Sequence, residues 1–279
     1  MRRPSKEGIE GSAVAEREVV MLLAIDVGNT QTVIGAYRGE ELVGHWRIST
    51  DANKTGDELA LYYQGFLGLK GLSFKDFDAV IISSVVPSAT MALEHMTKEY
   101  WEFEPLIVGH NLDAGIRILV DNPREVGPDR LVNAVAAFRR YGGPCIVVDF
   151  GTATTLDVVS SRGEYLGGAI APGIEISSKA LFKAAARLTK VELQRPPSVI
   201  GKNTTWSLQS GIVFGFAGQV DRLVELMLSE LGEKATVIAT GGLAEVVVSE
   251  CRTVHHHDPL LTLYGLLLIY QEATRRLPA

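Results

Sequence analysis

Short apolar runs separated by turn signals organise this chain from residue 21 onward. Residues 22–26 (LLAID) form an apolar run that ends in an acid, and Gly28 follows with small polar neighbours. That is the pattern of a buried strand that turns sharply. A second strand is predicted over 32–37, a turn at Arg38-Gly39-Glu40 and a third strand over 42–48, which together make a meander. Residues 55–68 carry Leu59, Tyr62, Tyr63, Phe66 and Leu67 at helical spacing, with Thr55 placed as N-cap ahead of Asp57 and Glu58. Beyond it the pattern predicts a buried strand over 79–86, a helix over 88–100, a short strand over 105–108, and an alanine-rich helix running from the Gly127-Pro128 loop through Arg140.

The opening meander recurs about 123 residues later. Val148, Asp149, Gly151, Thr152, Thr154 and Thr155 fall on Ile25, Asp26, Gly28, Asn29, Gln31 and Thr32. After a one-residue slip, Arg162, Gly163, Glu164, Leu166 and Gly168 fall on Arg38, Gly39, Glu40, Leu42 and Gly44. Repetition of this kind predicts two related halves, each opening with a strand-turn-strand meander. The punctuation at Tyr141-Gly142-Gly143-Pro144 sets the expected domains at 21–141 and 142–279. In the second half we expect strands over 145–149 and 163–171 and a helix over 174–186. A polar linker ending at Pro196-Pro197 follows, then a glycine-spotted helix over 210–228, a strand over 235–240 closed by Gly241-Gly242, and a last helix over 259–275. Residues 1–20 begin basic but lack the apolar stretch of a signal peptide, so they are expected to be a disordered leader.

Composition narrows the class. With 46% hydrophobic and 22% charged residues the 279-residue chain has enough apolar side chains for two cores. A net charge of -6 without a Lys/Arg block argues against nucleic acid or a membrane surface as partner. Two cysteines without metal-ligand neighbours suit a reducing, cytoplasmic location. The apolar stretch 260–270 is too short for a bilayer span.

Candidate chemistry sits at the turns. Asp26 stands at the mouth of the first, where Gly28 permits close backbone approach and Asn29, Thr30 and Thr32 offer donors to a phosphate. Gly127 and Pro128 place Asp129 and Arg130 at a helix start, and two readings stand side by side. In one, Asp129 caps the helix and Arg130 is solvated. In the other, Asp129 is a general base and Arg130 an anion clamp. Gly201-Lys202 is no Walker A loop, because Pro196 and Asn203 occupy its required Gly and Ser/Thr positions. His255, His256 and His257 alternate in direction on an extended chain and do not converge on a metal.

Two strand-turn-strand phosphate hairpins, a third acid on a loop and Gly-Gly after a late strand resemble the actin-like ATPase superfamily. That resemblance implies an α/β fold of two duplicated ribonuclease H-like domains with the active site in the cleft between them. The ordered segments DVGNTQT, DNPREVGPDR, VVDFGTATTLD, GGAIAPGI, GKNTTWSLQSG and DPLLTLYGL resemble, more narrowly, the type III pantothenate kinase family across 21–270. This implies transfer of the ATP γ-phosphate to pantothenate, in the first step of coenzyme A synthesis. By matching positions, Asp26, Val27, Gly28, Asn29, Thr30, Gln31, Thr32 and Val33 would hold the ATP phosphates with Mg2+. Thr152 would contact the nucleotide from the opposite hairpin. Gly127, Pro128, Asp129 and Arg130 would bind pantothenate, with Asp129 as proton acceptor. Asp149 would hold a monovalent cation, K+ or ammonium. Thr204 would reach pantothenate in the partner subunit's site, which implies a homodimer with shared active sites. One departure is Val120, where many family members carry a tyrosine, so any pantothenate contact there would be apolar. A regulatory relative would be expected to lose Asp129 or Asp149, and both are present.

Overall fold

A computed structural model describes residues 19–276 apart from 110, 186, 187 and 189. Most of the expected leader, the end of the helix expected over 174–186, and Arg187 lie outside the described residues. The first half contains β1 (Met21–Val27), β2 (Gln31–Arg38), β3 (Glu41–Ser49), α1 (Gly56–Gly68), β4 (Ala79–Ser84), α2 (Pro87–Trp101), β5 (Leu106–Ile107), β6 (Arg117–Ile118) and α3 (Pro128–Tyr141). The second contains β7 (Cys145–Phe150), β8 (Ala153–Val159), β9 (Glu164–Pro172), α4 (Ile174–Ala184), α5 (Thr204–Leu231), β10 (Thr236–Thr240), α6 (Ala244–Val247), β11 (His256–His257) and α7 (Leu261–Arg276). The Thr55 cap forms as expected, in a reciprocal capping box with Glu58. The helix expected over 210–228 starts earlier, because the Asn203 side chain accepts from the Trp206 N–H and caps it there. Among the described residues no helix is long and apolar enough to cross a membrane.

The two sheets repeat one plan. The first has the order β3-β2-β1-β4-β5, and the second has β9-β8-β7-β10-β11 with β6 added beside β9. Even the bulge repeats, between Ala36 and Tyr37 in one meander and between Val158 and Val159 in the other. The register corrects the sequence overlay. Asp26 pairs with Val33 whereas Asp149 pairs with Thr155, so the first strands are related by 123 residues and the second strands by 122. The cause is a turn one residue shorter between β7 and β8 than between β1 and β2. Thr154 and Thr155 therefore take the places of Thr32 and Val33, and Tyr165 and Gly167 take those of Leu42 and Gly44.

Five layers result. Helices α1 and α2 cover the outer face of the first sheet, where Leu23, Ile25 and Val27 pack with Leu59, Tyr63 and Leu93. Helices α5 and α6 cover the outer face of the second, over Ile146, Val148 and Phe150. Between the sheets lie α3 and α7, against Leu22 and Ala24 of β1 and Cys145 and Val147 of β7. Both central strands are buried on both faces, which is why they read as unbroken apolar runs. The boundary expected at 141/142 falls between the two sheets apart from β6, which pairs with β9, while α3 packs forward onto β7 and β8 and α7 packs back onto β1.

Candidate active site

Strand periodicity aims the two acids. Side chains alternate along a strand, so Asp26 shares the inward face of β1 with Leu22 and Ala24, and Asp149 shares that of β7 with Cys145 and Val147. Both point into the middle layer, just beyond the N-terminal end of α3. Gly127 is the N-cap of that helix, Pro128 opens it, and Asp129 lies in its first turn. Three carboxylates from three elements thus line one cleft of about 390 Å³.

Their electrostatics follow from that crowding. Burial, with the charge of Asp129 next and that of Asp149 adding to it, lifts the Asp26 carboxyl to about 8. Burial and then the charges of Asp129 and Asp157 lift Asp149 to about 7, partly offset by a hydrogen bond from Asn133 Nδ2 at 3.1 Å. Asp129 is also raised by burial, against the opposing effect of the Arg130 N–H, which donates to its Oδ1 at 2.9 Å. Oδ1 of Asp26 is buried with no hydrogen-bond partner. An orphaned carboxylate oxygen beside two more acids fits a bound cation, since a positive charge at this point would relieve all three.

The two strand-turn-strand hairpins meet across the cleft. Thr30 at the first tip and Thr152 at the second share a hydrogen bond of 2.7 Å between their hydroxyls. Gly28, Asn29, Thr30, Gln31 and Val33 line the cleft together with Thr152. Val27 and Thr32 do not: the Val27 side chain is in the outer core, and the Thr32 hydroxyl is paired with that of Thr50 at 2.8 Å. Gly241 has φ +95, and a Cβ there would strike Asp149 Oδ1 and the Phe150 backbone, so only glycine lets β10 end against the second acid.

Arg130 is not solvated. Its Nε donates to Oδ1 of Asp157 at 2.8 Å, and Nη2 stands 2.7 Å from the same oxygen. Asp157 is fully buried and also accepts from Tyr165 Oη at 2.6 Å and from Thr155 Oγ1 at 3.1 Å. Arg130 is thereby held at the cleft wall beside Asp129. Thr204, the exposed first residue of α5, does not line the cleft of its own chain. Val120 packs on the middle-layer core rather than into the cleft. Sequence reasoning missed Asn133, Asp157, Thr262 and Arg47. Asn133 lies one turn after Asp129 on the same helix face, and Thr262 Oγ1 donates to Asn133 Oδ1 at 2.7 Å. Asp157 lies two residues after Thr155, on the same strand face, a spacing that could have disclosed it.

The model of the type III pantothenate kinase family matches residues 22–226, most of the chain. The chain belongs to that family. A type III pantothenate kinase of Streptomyces griseus is 54% identical over 264 residues, covering 92% of this chain and 100% of the relative. One of Moorella thermoacetica is 50% identical over 254 residues, covering 91% and 100%. Among solved structures, the activator of the 2-hydroxyisocaproyl-CoA dehydratase from Clostridium difficile, with bound ADPNP, superposes with a TM-score of 0.54 at 14% identity, covering 93% of this chain and 99% of that one. A ROK hexokinase from Thermus thermophilus gives 0.51 at 13%, covering 92% and 100%. At such identities these two speak for the fold alone. This member of the pantothenate kinase family has the duplicated α/β architecture of the actin-like ATPases, in two ribonuclease H-like domains.

Proposed function

We propose that this chain transfers the γ-phosphoryl group of ATP to the primary hydroxyl of pantothenate, giving 4'-phosphopantothenate and ADP. A bond from the hydroxyl oxygen to phosphorus forms, the bond to the ADP oxygen breaks, and the hydroxyl proton passes to Asp129. Family membership supports the substrate and the donor. The observation that carries the mechanism is the convergence of Asp26, Asp129 and Asp149 in one cleft, close enough for their charges to act on each other.

Phosphoryl transfer demands positioning and charge neutralisation more than covalent chemistry. The hairpin from Asp26 to Val33 offers backbone and hydroxyl donors to the phosphates, and Thr152 faces it from the second domain. Mg2+ at Asp26 and a monovalent cation, K+ or ammonium, at Asp149 would neutralise phosphate charge when bound. Asp129 is the proton acceptor: burial raises its basicity toward the working pH while its position in the first turn of α3 keeps it aimed into the cleft. Arg130, fixed by Asp157, clamps the pantothenate carboxylate, and Gly127 leaves room beside Asp129, since a Cβ there would lie 2.5 Å from Asp129 Oδ1.

The working unit in this reading is a homodimer in which Thr204 completes the neighbouring site. Gly211, Gly215 and Gly218 lie on the exposed side of α5, and a Cβ on any of them would meet nothing within 4 Å. Such a strip allows close helix approach, and Thr204 stands at the N-terminal end of the same helix. Asp129→Asn tests the catalytic assignment: turnover falls by about 10² or more with ATP affinity little changed. Unchanged turnover would remove Asp129 as the base.

A further inference from the structure

The charges lining the cleft do not balance a triphosphate. Asp26, Asp129, Asp149, Glu125 and Glu175 are acids, and the cations are Arg130 and Arg47 alone. Arg130 is paired with Asp157 and, in the reading above, is engaged by the pantothenate carboxylate. Arg47 is different: among the described residues no carboxylate forms an ion pair with it, and its Nη1 donates to Oε1 of Gln31 at 2.8 Å.

Its placement follows from the sheet register. Arg47 on β3 sits directly opposite Val33 on β2, and Gln31 lies two residues earlier on the same strand face, so both side chains stand over the cleft side of the first hairpin. From there Arg47 acts on both domains. Its charge lowers the raised carboxyls of Asp26 and Asp149 alike. A Cβ on Gly242, just past the end of β10, would lie 2.5 Å from Arg47 Nη1. The guanidinium therefore spans the gap between the first phosphate hairpin and the Gly-Gly turn of the second domain.

We propose that Arg47 is a phosphate-binding residue, the positive jaw that holds the polyphosphate of the nucleotide against the two hairpins, oriented by Gln31. This rests on the nucleotide site proposed above. One guanidinium nitrogen is held by a neutral amide, which leaves the remaining donors and the whole charge for phosphate oxygens. Glycine at 242 leaves that guanidinium tip in place, since a Cβ there would push it aside.

The test compares Arg47→Ala, Arg47→Lys and Gln31→Ala with the wild type by calorimetric titration of ATP and of adenosine, in Mg2+ buffer, with no acceptor present. Loss of charge-assisted bonds to phosphate predicts ATP affinity about 10- to 100-fold weaker in Arg47→Ala, partly restored in Arg47→Lys. Adenosine affinity stays within about twofold of wild type in both, because the nucleoside does not carry the group that Arg47 holds. Gln31→Ala loses less than Arg47→Ala. ATP affinity unchanged in Arg47→Ala would overturn the proposal, as would ATP and adenosine weakening together, which is the signature of a merely structural arginine. Pantothenate-dependent ADP release by the wild type, followed in parallel, reads the acceptor assignment separately, so failure of that reading leaves the Arg47 result interpretable.

Discussion

The hydroxyls of Thr30 and Thr152, at the tips of two hairpins 122 residues apart in the chain, lie 2.7 Å from each other. This contact joins the duplicated halves across the cleft, at the place where the proposed nucleotide site would draw donors from both sides. Each hairpin also brings one of the two strand-end acids, Asp26 or Asp149, to the cleft.

Asp157 is predicted to govern pantothenate rather than ATP. It anchors Arg130 through two contacts to one oxygen and is itself held by Tyr165 and Thr155. In Asp157→Asn the charge that fixes Arg130 is gone, so initial-rate kinetics should show the pantothenate KM rising about tenfold with the ATP KM within about twofold. Equal effects on both would mean that the cleft as a whole had shifted.

Cations should stabilise the protein more at high pH than at low. Burial and mutual repulsion put Asp26 at about 8 and Asp149 at about 7, above the ordinary value of 3.8. Without a cation, the native state then holds more protons than the unfolded chain between about pH 4 and 8, and stability falls as pH rises through that window. A bound cation removes the penalty. Melting curves with and without K+ and Mg2+ should differ little near about pH 5 and by several degrees near about pH 8, at roughly 2–4 °C per kcal/mol for a chain of this size. Asp149→Ala should lose the K+ share of that gain. Equal gains at both pH values would contradict the placement of cations at these acids.

The exposed glycine strip of α5 predicts an interface. Gly215→Arg fills space that is open in the single chain, so its own fold should stay within about 1 kcal/mol of the wild type, as is common for surface substitutions. Sedimentation equilibrium should find the wild type as a dimer and this variant as a monomer without kinase activity. An active monomer would remove Thr204 from the shared site.

How much of this was legible in the chain depends on which forces act locally. Strands β1 and β7 are buried on both faces, so they stand out as apolar runs, and Asp26 and Asp149 stand out as the acids that end them. The N-cap at Thr55 is local and was readable in the same way, and Glu58 completes it as a capping box. The register of the duplication was not, because it turns on one residue's difference in turn length, which an overlay of residue types absorbs as a slip elsewhere. Arg47 was hidden for another reason: its place arises only when β3 is brought to the Gly-Gly turn, and Asp157, whose strand face the spacing from Thr155 discloses, gains its partner only when β8 is brought to α3. The reading of Arg130 as a solvated helix-end charge fails on the same ground, since its partner lies 27 residues away.

The most direct test of the central claim is ADP release by the purified protein, with and without pantothenate, in K+ and in Na+ buffers. We expect release that requires pantothenate and is faster in K+, which joins substrate, reaction and cation in one measurement. ATP binding without pantothenate-dependent release in either buffer would contradict the kinase assignment and leave the duplicated cleft as a nucleotide-binding module.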